Sequence, residues 1–571
     1  MGKKARHANP KAIHAEEKLS PILKSVRPWM VIVLALLVLA PFLGKALTID
    51  DPLFVWQAKY LQQKPLDPFG LETNWFGISQ SMLTNVQNPP VTCYWLALAG
   101  FVSWEEAWLH LALLPFPLLA IWGVIQLARR LEADPFWAAL LTLGSAGFLV
   151  SATNLMCDTM LTCGIVWSIL LWIRGLDRDN IWILILAAIL AGLTALTKYF
   201  GISLIPLLAA YTLIRQKKPT WSLVPLTAAV AILLGWHFWT MHLYNVSHIL
   251  GAKKYAENFN QIFSGGTRYF ASVTFLGGCI MWPLVIVLWR VRLAGRIIFA
   301  AGAILGGVIS VQILNHLPAT TYVLAAVFFA AGIAVFWLTA EYHIKNWQSP
   351  ETWLISLWIW GTLFFMTIMN WTVAARSLLP MIPALAVLTT IPVKPAGETA
   401  KRKTPILKPV TASLPVKPFA AAAILGLALA VLATWADFDW ANGVRRAANE
   451  LAAEFKAAGK QVFFQGHWGF QYYMELAGAT IQDLQHVVAS PNAVTILPIN
   501  NSNTYPRYFM ERNWQIKEHR KDGIRSGIYL TNVMASAGFY SHIIGIVPLA
   551  FSTEKPDRYW LMTPPPDAQP R

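Results

Sequence analysis

The sequence predicts a polytopic α-helical membrane protein with a soluble α/β domain at its C-terminal end. Three observations carry this. Of the 571 residues, 56% are hydrophobic and 13% charged, against roughly 45–50% and about 25% in a soluble globular chain. The apolar residues gather into long runs separated by short basic clusters, the pattern of a chain whose solvent is lipid and whose Lys and Arg stay on the cytoplasmic side. After residue 436 the long runs stop and the composition becomes mixed.

The N-terminal segment 1–27 is polar and basic, and reads as a cytoplasmic tail. The apolar run from Pro28 to Leu47 that follows exceeds the roughly 7–15 residues of a signal-peptide core, so an uncleaved first span is expected. Further apolar runs fall at 105–128, 134–153, 158–173, 181–197, 199–214, 221–240, 271–289, 297–314, 319–340, 351–369, 376–393 and 418–436. Together they predict about 13 spans, the shorter runs approaching the lower limit of roughly 17 residues. Residues 28–436 are therefore read as one transmembrane domain and 437–571 as a separate extracytoplasmic domain.

The run 91–102 is too short to span and fits an interfacial helix. Parity supports that choice. If it does not cross, Arg129–Arg130, Arg174 with Arg178, Arg215–Lys217–Lys218, Arg290–Arg292–Arg296 and Lys401–Arg402–Lys403 all share the N-terminal side, as the positive-inside rule requires. The outer face then holds two long loops, 49–104 and 241–270, and the linker 394–417 is a flexible cytoplasmic tether. The same scatter of basic clusters accounts for the net charge of +16 without a nucleic-acid partner. Cys93, Cys157, Cys163 and Cys279 lie in or beside apolar runs, so neither a disulfide framework nor a zinc site is expected.

In the tail, Arg445–Ala458 reads as an amphipathic helix stopped by Gly459. Val462–Phe464, Val494–Pro498, Gly527–Leu530 and Ile543–Leu549 read as strands. No nucleophile, metal or phosphate-loop motif is present. His467, in Gln465-Gly466-His467-Trp468-Gly469, is the best polar candidate, with a packed turn as its plainer explanation.

Charges near a bilayer are costly and so point to function. Asp50 and Asp51, directly after the first span, could supply a general base or bind a divalent cation, or one could cap the helix Leu53–Gln62. Asp158 opens a span and could be only a capping acid. Lys198 and Arg376, with no acidic neighbour close in sequence, suggest an anionic ligand or snorkelling to the headgroups. The loop 241–270 adds His242, His248, Lys253, Lys254 and Arg268 with Gly265–Gly266 as a hinge, which suits a lid. Carboxylates and dispersed cations among apolar walls suit an enzyme whose substrate joins a lipid tail to a phosphate: cations stabilise the leaving phosphate and a carboxylate takes a proton.

Four segments, in order, resemble the GT-C class of membrane glycosyltransferases, in the group of bacterial aminoarabinose transferases and protein O-mannosyltransferases. They are Asp50-Asp51 with Ala58-Lys59-Tyr60-Leu61, Asn88-Pro89-Pro90 with Tyr94-Trp95-Leu96, Asp158 with Leu196-Thr197-Lys198, and Arg376 to Ala384. The resemblance spans roughly 28–571. It implies sugar transfer, with inversion, from a polyprenyl-phosphate-linked donor to a lipid, glycan or protein acceptor at the outer face of the cell membrane. Asp50, Asp51 and Asp158 would then be catalytic, and Lys198, Arg376, Arg268 and Lys253 would hold the donor phosphate. Asn88, Tyr94 and His110 would line the acceptor cavity, and a divalent cation could take part. The chain departs from the family in its Asp-Asp pair where Asp-Glu is usual. It has Asn88 where aminoarabinose transferases carry a phosphate-binding Lys, and His110 where relatives often have Arg. Two other readings are a transporter or flippase of lipid-linked sugar, against which the lack of internal repeats counts, and a non-catalytic assembly scaffold.

Overall fold

A computed structural model describes residues 28–262, 265–313, 317–392, 416–520, 527–553 and 557–565. The tail 1–27 and nearly all of the linker 394–417 lie outside the described residues. Each predicted apolar run is helical. Glu106–Arg130, Asp158–Asp177, Trp221–Tyr244, Leu293–Ile313, Ala319–Asn346, Pro350–Met369 and Val416–Ala457 are each long and apolar enough to cross a membrane alone. Gly266–Cys279 and Trp282–Arg290 pass together but bend by 83° at their junction, where Pro283 in the first turn of the second helix ends the hydrogen-bond ladder. Pro28–Phe42, Ile181–Ala195 and Ala375–Thr390 are shorter apolar helices. The run 134–153 is split into Pro135–Leu143 and Ala146–Ser151. At the break the last helix crosses so closely that a Cβ on Gly426 would lie 2.6 Å from the Gly144 carbonyl oxygen.

Helix Asp158–Asp177 shows how the bundle is polarised. Its 20 residues cover about 30 Å at ~1.5 Å per residue. At its far end Asp177 accepts from Arg130 (2.7 Å) and Arg215 (2.8 Å). At its near end Asp158 meets Lys198. The C-terminal domain packs at the Asp158 end: Tyr540 bonds to Asn154, four residues before Asp158. Arg130, Arg174 and Arg215 thus lie at the opposite end from the domain, the separation that the positive-inside reading demands. A single cysteine at Arg129 or Lys217 is expected to resist an impermeant reagent applied to the outside of intact cells, while one at exposed Glu72 reacts. Labelling at Arg129 and Lys217 from outside would invert the topology.

Helix Val91–Gly100 lies along helix Asp51–Gln63. Gln62 donates to the Ala97 carbonyl (2.8 Å) and the Tyr94 hydroxyl to that of Pro65 (2.6 Å). Helix Asp51–Gln63 in turn meets the C-terminal domain, with the Trp56 and Tyr472 rings 6.0 Å apart. The short helix therefore sits at the domain end of the bundle.

The domain is a five-stranded sheet in the order Thr480–Ile481, Gln461–Phe464, Ala493–Pro498, Arg558–Thr563, Gln515–Arg520. The first three strands run parallel and the last two join antiparallel. The expected strands Val462–Phe464 and Val494–Pro498 appear as Gln461–Phe464 and Ala493–Pro498; the second is mostly apolar and is buried on both faces as the sheet's central strand. Arg445–Ala458 is not a separate helix: it is the far part of the 42-residue helix Val416–Ala457, which carries the last span into the domain and stops before Gly459 at φ +72°. Gly527–Leu530 shortens to Ile528–Tyr529, paired with Ala550–Phe551. Ile543–Leu549 is not a strand. Its Gly545 packs against the backbone of Ser536 and Gly538, and the Ile546 carbonyl accepts from Thr274 (2.6 Å), docking the segment as a loop on helix Gly266–Cys279.

Candidate active site

The first span ends in a turn that separates two adjacent carboxylates. Ile49 takes φ +47°, a conformation that a β-branched residue adopts only under constraint. Asp51 points inward and is fully buried. Its two oxygens accept from the backbone N–H groups of Thr48 (3.0 Å) and Leu155 (2.8 Å). Burial pushes its carboxyl up to about 7, against the pull of Lys45 and the two N–H groups. Asp50 makes no capping bond to the helix that follows. It is partly exposed and accepts from Arg376 Nη1 at 2.7 Å. The two adjacent acids thus take different partners: Asp51 ties the outer helix to the turn before Asp158 through the Thr48 and Leu155 N–H groups, and Asp50 faces Arg376. Among the described residues no group of three or more His, Cys, Asp or Glu is placed to hold a metal.

Asp158 is buried in the first turn of its helix, 2.6 Å from Lys198 Nζ. Lys198, extended between Ile181–Ala195 and the turn Tyr199–Ser203, therefore has the acidic partner that its sequence neighbours lack. Arg376 follows the irregular segment after Pro350–Met369 and feels the charge of Asp158 as well as that of Asp50. The result is a row of alternating charge, Asp50, Arg376, Asp158, Lys198, at the domain end of the bundle.

Two further groups feel the charge of Asp50. The Tyr255 phenol, from helix His248–Ile262, is pushed up by burial and by the Asp50 charge. His467, from the C-terminal domain, is held down to about 4 by burial, against the Ser502 carbonyl and Asp50. It is therefore neutral near pH 7, with Nδ1 donating to the Ser502 oxygen at 2.8 Å. The packed turn expected around it is present, with Trp468 at φ +65° and the imidazole bonded to Ser502.

Other expected site residues are used elsewhere. The buried Arg268 donates to the carbonyls of Thr367 (2.6 Å), Asn370, Trp371 and Met366. It sits at the carbonyl end of helix Pro350–Met369, where a cation offsets the helix dipole. Lys253 is 70% exposed and lies 3.6 Å from Glu257. Two positions along the helix, ~200° around the axis, turn it away from the face that carries Tyr255. With Lys254, Asn258 and Asn260 it lines an open groove of about 680 Å³. His110 is buried with its ring nitrogens at the carbonyls of Glu106 (2.8 Å) and Thr153 (3.1 Å), which braces the turn before Asp158. Tyr94 braces the outer loop through Pro65. Asn88 is half-buried at the bend before Val91–Gly100.

The sequence reading missed Lys45 and Asp437. Both are fully buried and paired at 2.5 Å. Lys45 also donates to Asn154 and Thr153, and Asp437 accepts from Tyr540 (2.6 Å). The available signal was one lysine and one aspartate at the outer ends of the first and last apolar runs. Glu106 likewise joins Arg445 and Tyr473.

Residues 87–240 match the family model of dolichyl-phosphate-mannose-protein mannosyltransferase. This part holds Asp158 and Lys198 but neither Asp50 nor Arg376. Among solved structures the chain is similar to the oligosaccharyltransferase of Archaeoglobus fulgidus, at 14% identity over 80% of this chain and 64% of that one, with a TM-score of 0.45. It thus spans less than two thirds of that protein's length. It is also similar to ArnT of Cupriavidus metallidurans, at 15% identity over 85% and 95% with a TM-score of 0.42. A third is the arabinosyltransferase EmbB of Mycobacterium smegmatis, at 14% over 76% and 39% with a TM-score of 0.34. No curated protein sequence matches the chain.

Proposed function

We propose that this chain is a membrane glycosyltransferase that moves a sugar from a polyprenyl-phosphate carrier to an acceptor at the outer face of the cell membrane, with its N-terminus in the cytoplasm. The observation that carries the reading is the Asp50 carboxylate held 2.7 Å from Arg376, next to Asp158 and Lys198, where the first span meets the outer loop. A lipid tail reaches this point from the bilayer and an acceptor from outside. The resemblance of the four sequence segments and the family match over 87–240 support the same class.

The chemistry follows from the pairing. Arg376 is balanced by Asp50, and a lipid phosphate competes with Asp50 for the guanidinium through charge-assisted hydrogen bonds. Asp50, released, accepts the proton of the acceptor hydroxyl or amine as that atom attacks the anomeric carbon. The bond from that carbon to the phosphate oxygen breaks, and the polyprenyl phosphate leaves against Arg376 and Lys198. In this reading Asp50 acts as the base, the acceptor atom attacks the anomeric carbon directly, and the displacement is single, with inversion.

The phosphate grip is tested by binding of polyprenyl phosphate to the purified protein in lipid. Arg376→Ala and Lys198→Ala are each expected to weaken it by about 1.5–3 kcal/mol, the worth of a hydrogen bond to a charged group. Unchanged affinity in both would mean that these cations only balance Asp50 and Asp158.

A further inference from the structure

Arg376 owes its position to an irregular stretch of chain. Helix Pro350–Met369 ends in the π-helical turn Phe365–Met369, and the backbone is extended at Asn370 and again at Ala374. Such a segment has backbone groups that no ladder satisfies, so something else must fix it. From the membrane domain Arg268 takes the carbonyls of Met366, Thr367, Asn370 and Trp371.

The other side is held by the C-terminal domain. The Ala375 N–H donates to the Phe539 carbonyl (2.8 Å), and the His542 N–H to that of Val373 (2.8 Å). The Val373 N–H donates to His542 Nδ1 (3.1 Å). The Thr372 hydroxyl lies 2.9 Å from the same nitrogen and 2.7 Å from Ser541 Oγ. His542 is buried, and burial together with the Arg268 charge holds its imidazole down to about 4, so Nδ1 is an acceptor at neutral pH. Between these contacts Tyr540 bonds to Asn154 and Asp437, next to Leu155, whose N–H holds Asp51. One four-residue loop therefore grips both walls of the candidate site: the segment ending in Arg376 and the turn leading to Asp158.

We propose that the C-terminal domain takes part in the reaction through the loop Phe539–His542, which sets the position of Arg376, with His542 as its positioning residue. This rests on the reading that Arg376 holds the donor phosphate. His542 touches no reacting atom; it acts by accepting the Val373 N–H three residues before Arg376.

The full-length protein in lipid tests this by its affinity for polyprenyl phosphate. His542→Leu fills the space but removes the acceptor, and is expected to weaken binding about tenfold, a difference of ~1.4 kcal/mol. His542→Asn places an amide oxygen near the position of Nδ1 and is expected to stay within about twofold of the natural chain. Thr372→Val, a smaller change that loses only the hydroxyl, is expected to weaken binding about threefold. In an Arg376→Ala background His542→Leu should cost nothing further. Equal losses in His542→Leu and His542→Asn, or a full loss retained without Arg376, would reduce the loop to a packing contact. If Arg376→Ala itself binds normally, the phosphate reading fails first and this inference with it. If His542→Leu does not fold, Thr372→Val at natural affinity overturns the proposal on its own.

Discussion

Asp50→Asn is expected to transfer sugar about 10²–10⁴ times more slowly than the natural chain, the usual worth of a general base, while folding and inserting normally. The side chain makes no capping bond, so the helix Asp51–Gln63 does not depend on it. Asn is nearly isosteric but cannot take a proton. It also leaves Arg376 without its counter-charge, so polyprenyl phosphate should bind at least as tightly as before. Asp51→Asn fails in a different way. Both Asp51 oxygens accept backbone N–H groups, and an amide must turn its NH₂ toward one of them. The expected cost is about 1–3 kcal/mol of stability for the unsatisfied pair, read as earlier thermal unfolding in detergent. A wild-type transfer rate in Asp50→Asn would move the base elsewhere, with Asp158 as the next carboxylate to test.

Lys45→Met is expected to destabilise the protein by about 3–5 kcal/mol, because it leaves Asp437 charged, buried and without its cation. Lys45 and Asp437 join the first span to the last, and Asn154 and Tyr540 extend the pair to the turn before Asp158 and to the C-terminal domain. The double variant Lys45→Met with Asp437→Leu should regain most of the loss, since a buried pair replaced by apolar residues is often neutral. The check is the unfolding midpoint of the four proteins of this cycle. If Lys45→Met unfolds like the natural chain, the buried pair contributes no stability.

Much of the fold is legible in the sequence because lipid leaves so few choices. Thirteen apolar runs could be nothing but helices, since a backbone in hydrocarbon must satisfy itself. The domain's central strand Ala493–Pro498 is legible for the related reason that it is buried on both faces. The edge strand Gln515–Arg520 is not, because its sequence QIKEHR is largely polar and resembles loop. The candidate site is half legible. Cost near the membrane singled out Asp50, Asp158, Lys198 and Arg376, but not their pairing, since Asp50 and Arg376 stand 326 positions apart and Asp158 and Lys198 stand 40 apart. Which of Asp50 and Asp51 faces the site is decided by the turn at Ile49, which composition does not reveal. The partners of Arg268 are hidden from the sequence for a similar reason. They are carbonyls freed by a π-helical turn, a demand that exists only once the chain is folded.

The most direct measurement is the mass of the products formed when the purified protein, in vesicles, meets a labelled pool of polyprenyl-phosphate-linked sugars and an extract of outer-face acceptors. One labelled sugar should be added to an acceptor for each polyprenyl phosphate released, and neither product should form with Asp50→Asn. Label recovered intact on its lipid, moved from one leaflet to the other at a rate that Asp50→Asn does not change, would contradict sugar transfer and describe a transporter.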